Sequence, residues 1–227
     1  ETYEGIKDEV ASIAAKTRGI VRIASPYYWT GDFTEPLIAA LEKLDSRCDV
    51  EVISCQPPDG YDTLRTGKCD AFVAPSSWFP DNAEVGSVPF ATEGNVVAMD
   101  CGNPLATRDS IGMEDLDGQK LIKLKDEHGV YMAAGSEMLR ELLAKRHVKL
   151  AGIEYTPQID LIGAFIKGTD KIAVVSRGVR NMQRDYLRYV PFEPDVFACE
   201  MCLIYRLDND NPALAALVEV ARTFRAE

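Results

Sequence analysis

An α/β fold in two lobes follows from three features of this 227-residue sequence. Short apolar runs alternate with helix-period stripes over residues 20–74, and again over 120–176. Between these sets the alternation stops in a long extended passage, Glu93–Met99. A second long apolar run, Cys199–Tyr205, follows the second set and leads into a last helical stripe. Strand–helix–strand repeats pair their strands in parallel and pack the helices on the sheet. Two extended runs placed this way carry the chain into a second lobe and back. We expect lobe I at 19–92 and 201–227, and lobe II at 93–200, with a helix ahead of them in 1–18.

That leading helix has Ile6, Val10, Ile13 and Ala14 on one stripe and stops at Gly19. Its thin apolar face suits the tail of a longer interdomain helix, or a terminal helix docked on its own domain. Ile20–Ala24 is the first strand. Thr34-Glu35-Pro36 opens a helix with proline near its first position, and Leu37, Ile38, Leu41 and Leu44 share one face. Val50–Ser54 is the second strand. Tyr61–Thr66 is a short helix stopped by Gly67, and Asp70–Ala74 is the third strand.

Val88–Phe90 is extended, and after the passage Glu93–Met99 the turn signal Gly102-Asn103-Pro104 follows. Lys120–Leu124 opens the second set. Ser136 is expected to cap a helix with Met138, Leu139, Leu142 and Leu143 inward and a Glu141–Lys145 pair outside. Leu150–Tyr155 is a strand. Thr156 then reads as an N-cap followed by Pro157, with Ile159, Ile162 and Ile166 on a stripe ending at Gly168. Ile172–Ser176 is the next strand. Asn211 caps the last helix, with Leu214, Leu217, Val218, Ala221 and Phe224 inward.

Composition excludes several function classes. Hydrophobic residues at 46% and charged residues at 27% are a globular balance, not a disordered one. The charge of 25 − 36 = −11 repels phosphate, so this stretch does not itself grip nucleic acid. No run of 18 apolar residues exists, so no membrane span is expected. The chain starts at Glu1 with no signal peptide, and we expect a trimmed piece of a longer protein.

Six cysteines are scattered along the chain, which suggests reduced, buried thiols in a cytoplasmic protein. Cys199 and Cys202 read as an i, i+3 pair on opposite faces of a strand, serving packing. The only histidines, His128 and His147, sit in no metal or catalytic motif. Phosphate-binding glycine loops and nucleophile elbows are missing from the sequence. No cofactor, metal or catalytic residue is expected.

A ligand of such a fold meets the loops after the strands, in the cleft between lobes. Those loops supply Ser25, Tyr27, Trp29 and Thr30 after the first strand, Gln56 after the second and Ser76 after the third. Lobe II supplies Lys125 to Met132, Thr156, Ser176 and Arg177. Hydroxyls and free backbone N–H groups suit a carboxylate, and Arg177 can pair one in bidentate fashion. Aromatic walls from Tyr27 and Trp29 suit a flat or apolar body. The expected effector is a small organic anion bound by Ser25, Tyr27, Trp29, Thr30, Gln56, Ser76, Thr156, Ser176 and Arg177.

Several short segments carry a family resemblance. They are Gly19-Ile20-Val21-Arg22-Ile23-Ala24, Leu64-Arg65-Thr66-Gly67-Lys68-Cys69-Asp70-Ala71, Val88-Pro89-Phe90, Asn103-Pro104-Leu105-Ala106, and Met113-Glu114-Asp115-Leu116 with Gly118. In order and spacing they make Gly19–Arg225 resemble the effector-binding domain of LysR-type transcriptional regulators. Two departures fall beside the expected pocket. Gly168 is followed by Thr169-Asp170-Lys171 where the family often has two nearby glycines. Ser176-Arg177 stands where proline often follows the strand.

The resemblance implies two Rossmann-like lobes joined by two crossing strands, as in type 2 periplasmic binding proteins. It also implies a small-molecule effector in the cleft and a homodimer. The stripe Ile6, Val10 and Ile13 and the helix Thr34–Leu44 are candidate dimer surface. DNA contact is expected only through an N-terminal winged helix–turn–helix outside this chain, with residues 1–18 as the end of a linker helix. Rival readings are a transport-type solute-binding protein of the same fold, and an enzyme using Cys55 or Cys101 as nucleophile.

Overall fold

A computed structural model describes residues 19–44, 48–75, 77, 84–124, 133–182 and 184–224, with backbone only at 57–58 and 133–138. The expected helix at 5–17 lies outside the described residues, as do Ser76 and the loop 125–132.

The chain begins with strand β1 (Ile20–Ser25), a helical stretch through Tyr27–Trp29 and Thr30–Thr34, and helix α1 (Glu35–Leu44). Strand β2 (Asp49–Ser54), helix α2 (Pro57–Arg65) and strands β3 (Ala71–Pro75), β4 (Val85–Glu93) and β5 (Asn95–Asp100) follow. The second set is β6 (Lys120–Leu124), helix α3 (Ala133–Lys145), β7 (Gly152–Thr156), helix α4 (Ile162–Ile166) and β8 (Ile172–Ser176). A 3-10 segment, Arg177–Met182, leads to β9 (Leu187–Pro191), β10 (Cys199–Arg206) and helix α5 (Pro212–Thr223).

Two five-stranded sheets result, ordered β2-β1-β3-β10-β4 and β7-β6-β8-β5-β9. Each has a parallel trio, from β1 with β2 and β3, and from β6 with β7 and β8. Each trio then takes in an antiparallel strand arriving from the other sheet. β10 lies beside β3, and β5 lies beside β8. The two sheets are therefore built alike, and the chain passes between them at Gly94 and again between β9 and β10.

Local chemistry accounts for most elements. α1 buries Leu37 and Leu41 and leaves Leu44 exposed. Full burial of each such side chain is worth about 1.5–3 kcal/mol. Asn211 caps α5 as expected, its Oδ1 accepting from Ala213 N at 3.0 Å. α2 starts at Pro57, four residues ahead of the expected Tyr61, because proline at the first helical positions needs no N–H and has a preset φ. Gly60 lets α2 lie directly on β3, since a Cβ there would stand 2.6 Å from the Phe72 ring.

Other expectations need correction. α3 begins at Ala133, so Ser136 lies inside the helix and not at its cap. Thr156 ends β7 and donates its hydroxyl to Gln158 O at 3.0 Å, so it is not an N-cap. β9 was not expected. It is a short strand with no helix before it, held on one side only by β5. β10 lies between β3 and β4, so Met201 through Ile204 are all buried, and its register with β4 shifts at the Met201–Cys202 step.

One buried carboxylate pins the first sheet. Asp70 is 4% exposed and accepts from Arg22 N at 2.8 Å, Arg22 Nε at 3.2 Å and Asn209 Nδ2 at 3.1 Å. Burial alone would raise its pKa, but the bonds from Arg22 and Asn209 outweigh burial and hold it below the ordinary carboxylate value. Because the native pKa is lowered, the contribution is complete above the unfolded pKa and is lost as pH falls through the native one. We predict that Asp70→Asn costs about 1.5–3 kcal/mol by urea denaturation at pH 7, the range for hydrogen bonds to a charged group. The gap between variant and wild type should narrow as pH falls below about 4. A gap independent of pH would mean that the charge contributes nothing.

Candidate functional site

β4 carries one extra residue, Phe90, opposite the Met201–Cys202 step of β10. The bulge switches the alternation, so Val88, Phe90 and then Glu93 are buried while Thr92 is exposed. Glu93, 2% exposed, therefore turns inward at the last residue before the chain crosses to the second sheet. Two residues on, Asn95 pairs with Ser176 at the end of β8. That register brings the start of the Arg177–Met182 segment against the same carboxylate.

Glu93 Oε1 accepts from three donors. They are Gly178 N at 2.8 Å, Trp29 Nε1 at 3.2 Å and the Ser176 hydroxyl. Trp29 Nε1 also reaches Ser176 Oγ at 2.8 Å. The Arg177 guanidinium stands 3.8 Å from Glu93 Oε2 and donates to Thr92 O at 3.2 Å. Among the described residues, Glu93 Oε2 and Arg177 Nε have no hydrogen-bond partner although both atoms are buried. Trp29 comes from the loop after β1 and Ser176 to Gly178 from the loop after β8, so donors from both sheets converge on one carboxylate.

The same two loops meet along their length. Arg180 pairs with Asp32 at 3.6 Å, Asn181 Nδ2 donates to Tyr28 O at 3.4 Å, and the Tyr27 hydroxyl donates to Met182 Sδ at 3.6 Å. Gly178 is required by proximity alone. A Cβ there would lie 2.6 Å from Tyr28 O and 2.7 Å from Trp29 Cδ1. Burial, reinforced by the charge of Glu93, pushes the Tyr28 phenol up, so it stays neutral. One apolar core runs through this junction, joining Val21, Trp29 and Phe72 of the first set to Val96, Ile162 and Val179 of the second.

Of the expected site residues, the structure brings Trp29, Ser176 and Arg177 together. Tyr27 lies at the outer end of the same contact and is partly exposed, with Thr30 half-buried nearby in the chain. Ser25 is fully buried and donates to Pro26 O at 3.2 Å, and Thr156 is fully buried with its own backbone partner. Gln56 is exposed at the start of α2 and makes no side-chain cap. Glu93, Asp32, Gly178 and Arg180 were missed. The readable signal for Glu93 was a charged residue three positions past the apolar run Val88–Phe90, with glycine immediately after it.

A depression of about 290 Å³, open mouth included, lies on the second sheet's side, lined by Ala98, Ile162, Val179, Met182, Arg184 and Tyr189 among others. It borders the far end of the Arg177–Met182 segment and not the donors around Glu93. It is shallow, and Asp160 and Arg184 put both signs of charge on its lining. Among the described residues no group of three or more His, Cys, Asp or Glu is placed to hold a metal ion.

Residues 14–226 match the family described as the LysR substrate binding domain. The chain belongs to this family. CbnR, a LysR family transcriptional regulator, is similar at 16% identity and TM-score 0.73, over 95% of this chain and 73% of that one. The effector binding domain of BenM with its effector benzoate is similar at 14% identity and TM-score 0.68, over 89% and 90%. The reduced regulatory domain of OxyR from Pseudomonas aeruginosa is similar at 18% identity and TM-score 0.66, over 91% and 98%. No curated protein sequence matches the chain. The two-lobed α/β fold of this LysR substrate binding domain is thus the fold of those regulators.

Burial disfavours the thiolate at three cysteines of this LysR substrate binding domain. Burial pushes Cys69 up to about 12 and Cys199 up to about 11, and raises Cys55 as well. Cys101 is the exposed thiol among the described residues. We predict that alkylation of the native protein at pH 8 shows one fast phase, and that Cys101→Ser removes it. A fast phase at Cys55 with a midpoint below pH 8 would reveal a thiolate and revive an enzymatic reading.

Proposed function

We propose that this chain is the effector-sensing part of a LysR-type transcriptional regulator. It binds a small organic effector between its two sheets and passes that event to an N-terminal winged helix–turn–helix outside this chain. One observation carries the reading: in a LysR substrate binding domain, donors from two sheets converge on one buried site at the strand ends. Such a site reports the relative position of the lobes, and only a ligand with different affinity for two arrangements shifts them.

We place lobe I at 19–92 and 201–227 and lobe II at 93–200. Strand pairing supports this division to within a few residues, since β4 reaches Glu93 and β10 begins at Cys199. The effector is a small anion. Arg177, Ser176 and Trp29 contact it, Tyr27, Thr30 and Gln56 edge the cleft, and Ser25 and Thr156 shape the strand ends. Benzoate, the effector of BenM, has this chemistry.

The charge of −11 leaves DNA contact to the other domain. The full-length CbnR structure with its target DNA supports that division of labour. Among the described residues no helix is long and apolar enough to cross a membrane, and a cytoplasmic location fits a DNA-bound regulator. We also propose a homodimer. Leu44 at the end of α1, Val52 on the edge strand β2, and Ile153 and Tyr155 on the edge strand β7 expose apolar surface that a second copy would cover.

The test is a thermal-shift screen of aromatic and aliphatic acids on the wild type, Arg177→Ala and Trp29→Ala. Losing Arg177 should weaken an anionic effector by about 1.5–3 kcal/mol, the value of a charge-assisted hydrogen bond. If only neutral compounds stabilise the protein, or if hits bind both variants as well as the wild type, this site chemistry is wrong.

A further inference from the structure

The donors that would hold an effector's carboxylate already hold one that belongs to the chain. Glu93 Oε1 takes the Gly178 N–H at 2.8 Å, the indole N–H of Trp29 at 3.2 Å and the Ser176 hydroxyl. Its other oxygen faces the Arg177 guanidinium at 3.8 Å. This is the arrangement of an anion site with two backbone or ring N–H donors, a hydroxyl and a cation. Its occupant is tethered at the crossing between the sheets. Trp29 belongs to the loop after β1 and Ser176, Arg177 and Gly178 to the loop after β8, so the carboxylate is shared by both halves of the fold.

We propose that Glu93 is a resident carboxylate ligand of the site between the sheets, latching the two lobes together and competing with any anion that enters. Its contacts are fixed by neighbours whose only evident role is close approach. Gly178 has no room for a Cβ, and Arg180–Asp32 and Asn181–Tyr28 extend the seam beyond the carboxylate. Glu93 is thus a specificity-determining residue. A plain carboxylate gains little from donors already satisfied, so the site admits an anion only when Glu93 swings out or when the rest of the ligand makes up the difference. Displacement of Glu93 by an effector rests on the sensing role proposed above, whereas the resident contact does not.

Chemical rescue tests the resident contact without any effector. Glu93→Ala should lower Tm by roughly 5–10 °C. Sodium acetate should then restore at least half of that loss with a saturating dose response, and sodium chloride of equal ionic strength should not. The wild type and Glu93→Gln, whose side chains fill the space, should not respond to acetate. No saturable acetate effect on folded Glu93→Ala, or an equal effect on the wild type, would overturn the proposal. If Glu93→Ala does not fold, Gly178→Ala decides. Its added methyl should part the two loops and raise the radius of gyration measured by small-angle X-ray scattering, and an unchanged radius would reject the latch. Failure of the sensing role would look different, with acetate rescue intact but no acid stabilising the wild type in the screen.

Discussion

A carboxylate nine-tenths or more out of water is expensive unless it is paired and hydrogen-bonded, and this fold places one where the chain first crosses between its sheets. Glu93 is 2% exposed and stands on the last residue of β4 before the chain leaves the first sheet. Its position forces the surroundings. Three donors must reach it, and they can do so only if the loop after β1 and the loop after β8 are pressed together. The remaining seam contacts follow from that approach. So does the burial of Trp29, whose indole N–H bridges to Glu93 and Ser176.

The topology makes this possible because each sheet borrows its fourth strand from the other side. β10 returns to lie antiparallel to β3, and β5 arrives to lie antiparallel to β8. Both crossings are held by strand pairing on their two sides, so the hinge is short. At the hinge Asp195 accepts from Asn95 Nδ2 at 3.1 Å and from Phe197 N at 3.1 Å, tying the outward passage to the return. A few residues around Gly94 and 193–198 therefore absorb any relative movement of the lobes.

Much of the fold was legible in the sequence, because both parallel trios announce themselves by period and by their helix stops. Gly67 and Gly168 take the positive φ that ends a helix, and Asn211 caps where the pattern placed it. What the sequence hid came from non-local causes. β9 exists because β5 offers it an edge. α2 starts early because two prolines that read as loop are also good first residues of a helix. Glu93 was hidden by a bulge, since strict alternation from Val88 and Phe90 would bury Thr92 and expose Glu93. Of the candidate site, strand-end position was enough to find Trp29, Ser176 and Arg177. It could not reveal that they converge on an internal anion, because that depends on the register of β5 with β8.

The resident carboxylate also constrains what an effector must be made of. An effector carboxylate that displaced Glu93 would exchange one carboxylate for another on the same donors, so its headgroup would add little to the difference between the two states. Moving a two-state equilibrium from 1:99 to 99:1 needs about 5.5 kcal/mol of difference between the states. At about 25 cal/mol per Å² that corresponds to roughly 220 Å² of apolar surface buried in one arrangement and not in the other. The body of the ligand, and not its charge, must supply this. The depression lined by Ala98, Ile162, Val179, Met182 and Tyr189 adjoins the seam. It shares Val179 and Met182 with the segment that latches onto Trp29 and Tyr27. As it stands the depression exposes far too little apolar surface to supply that difference, so any such change must open more.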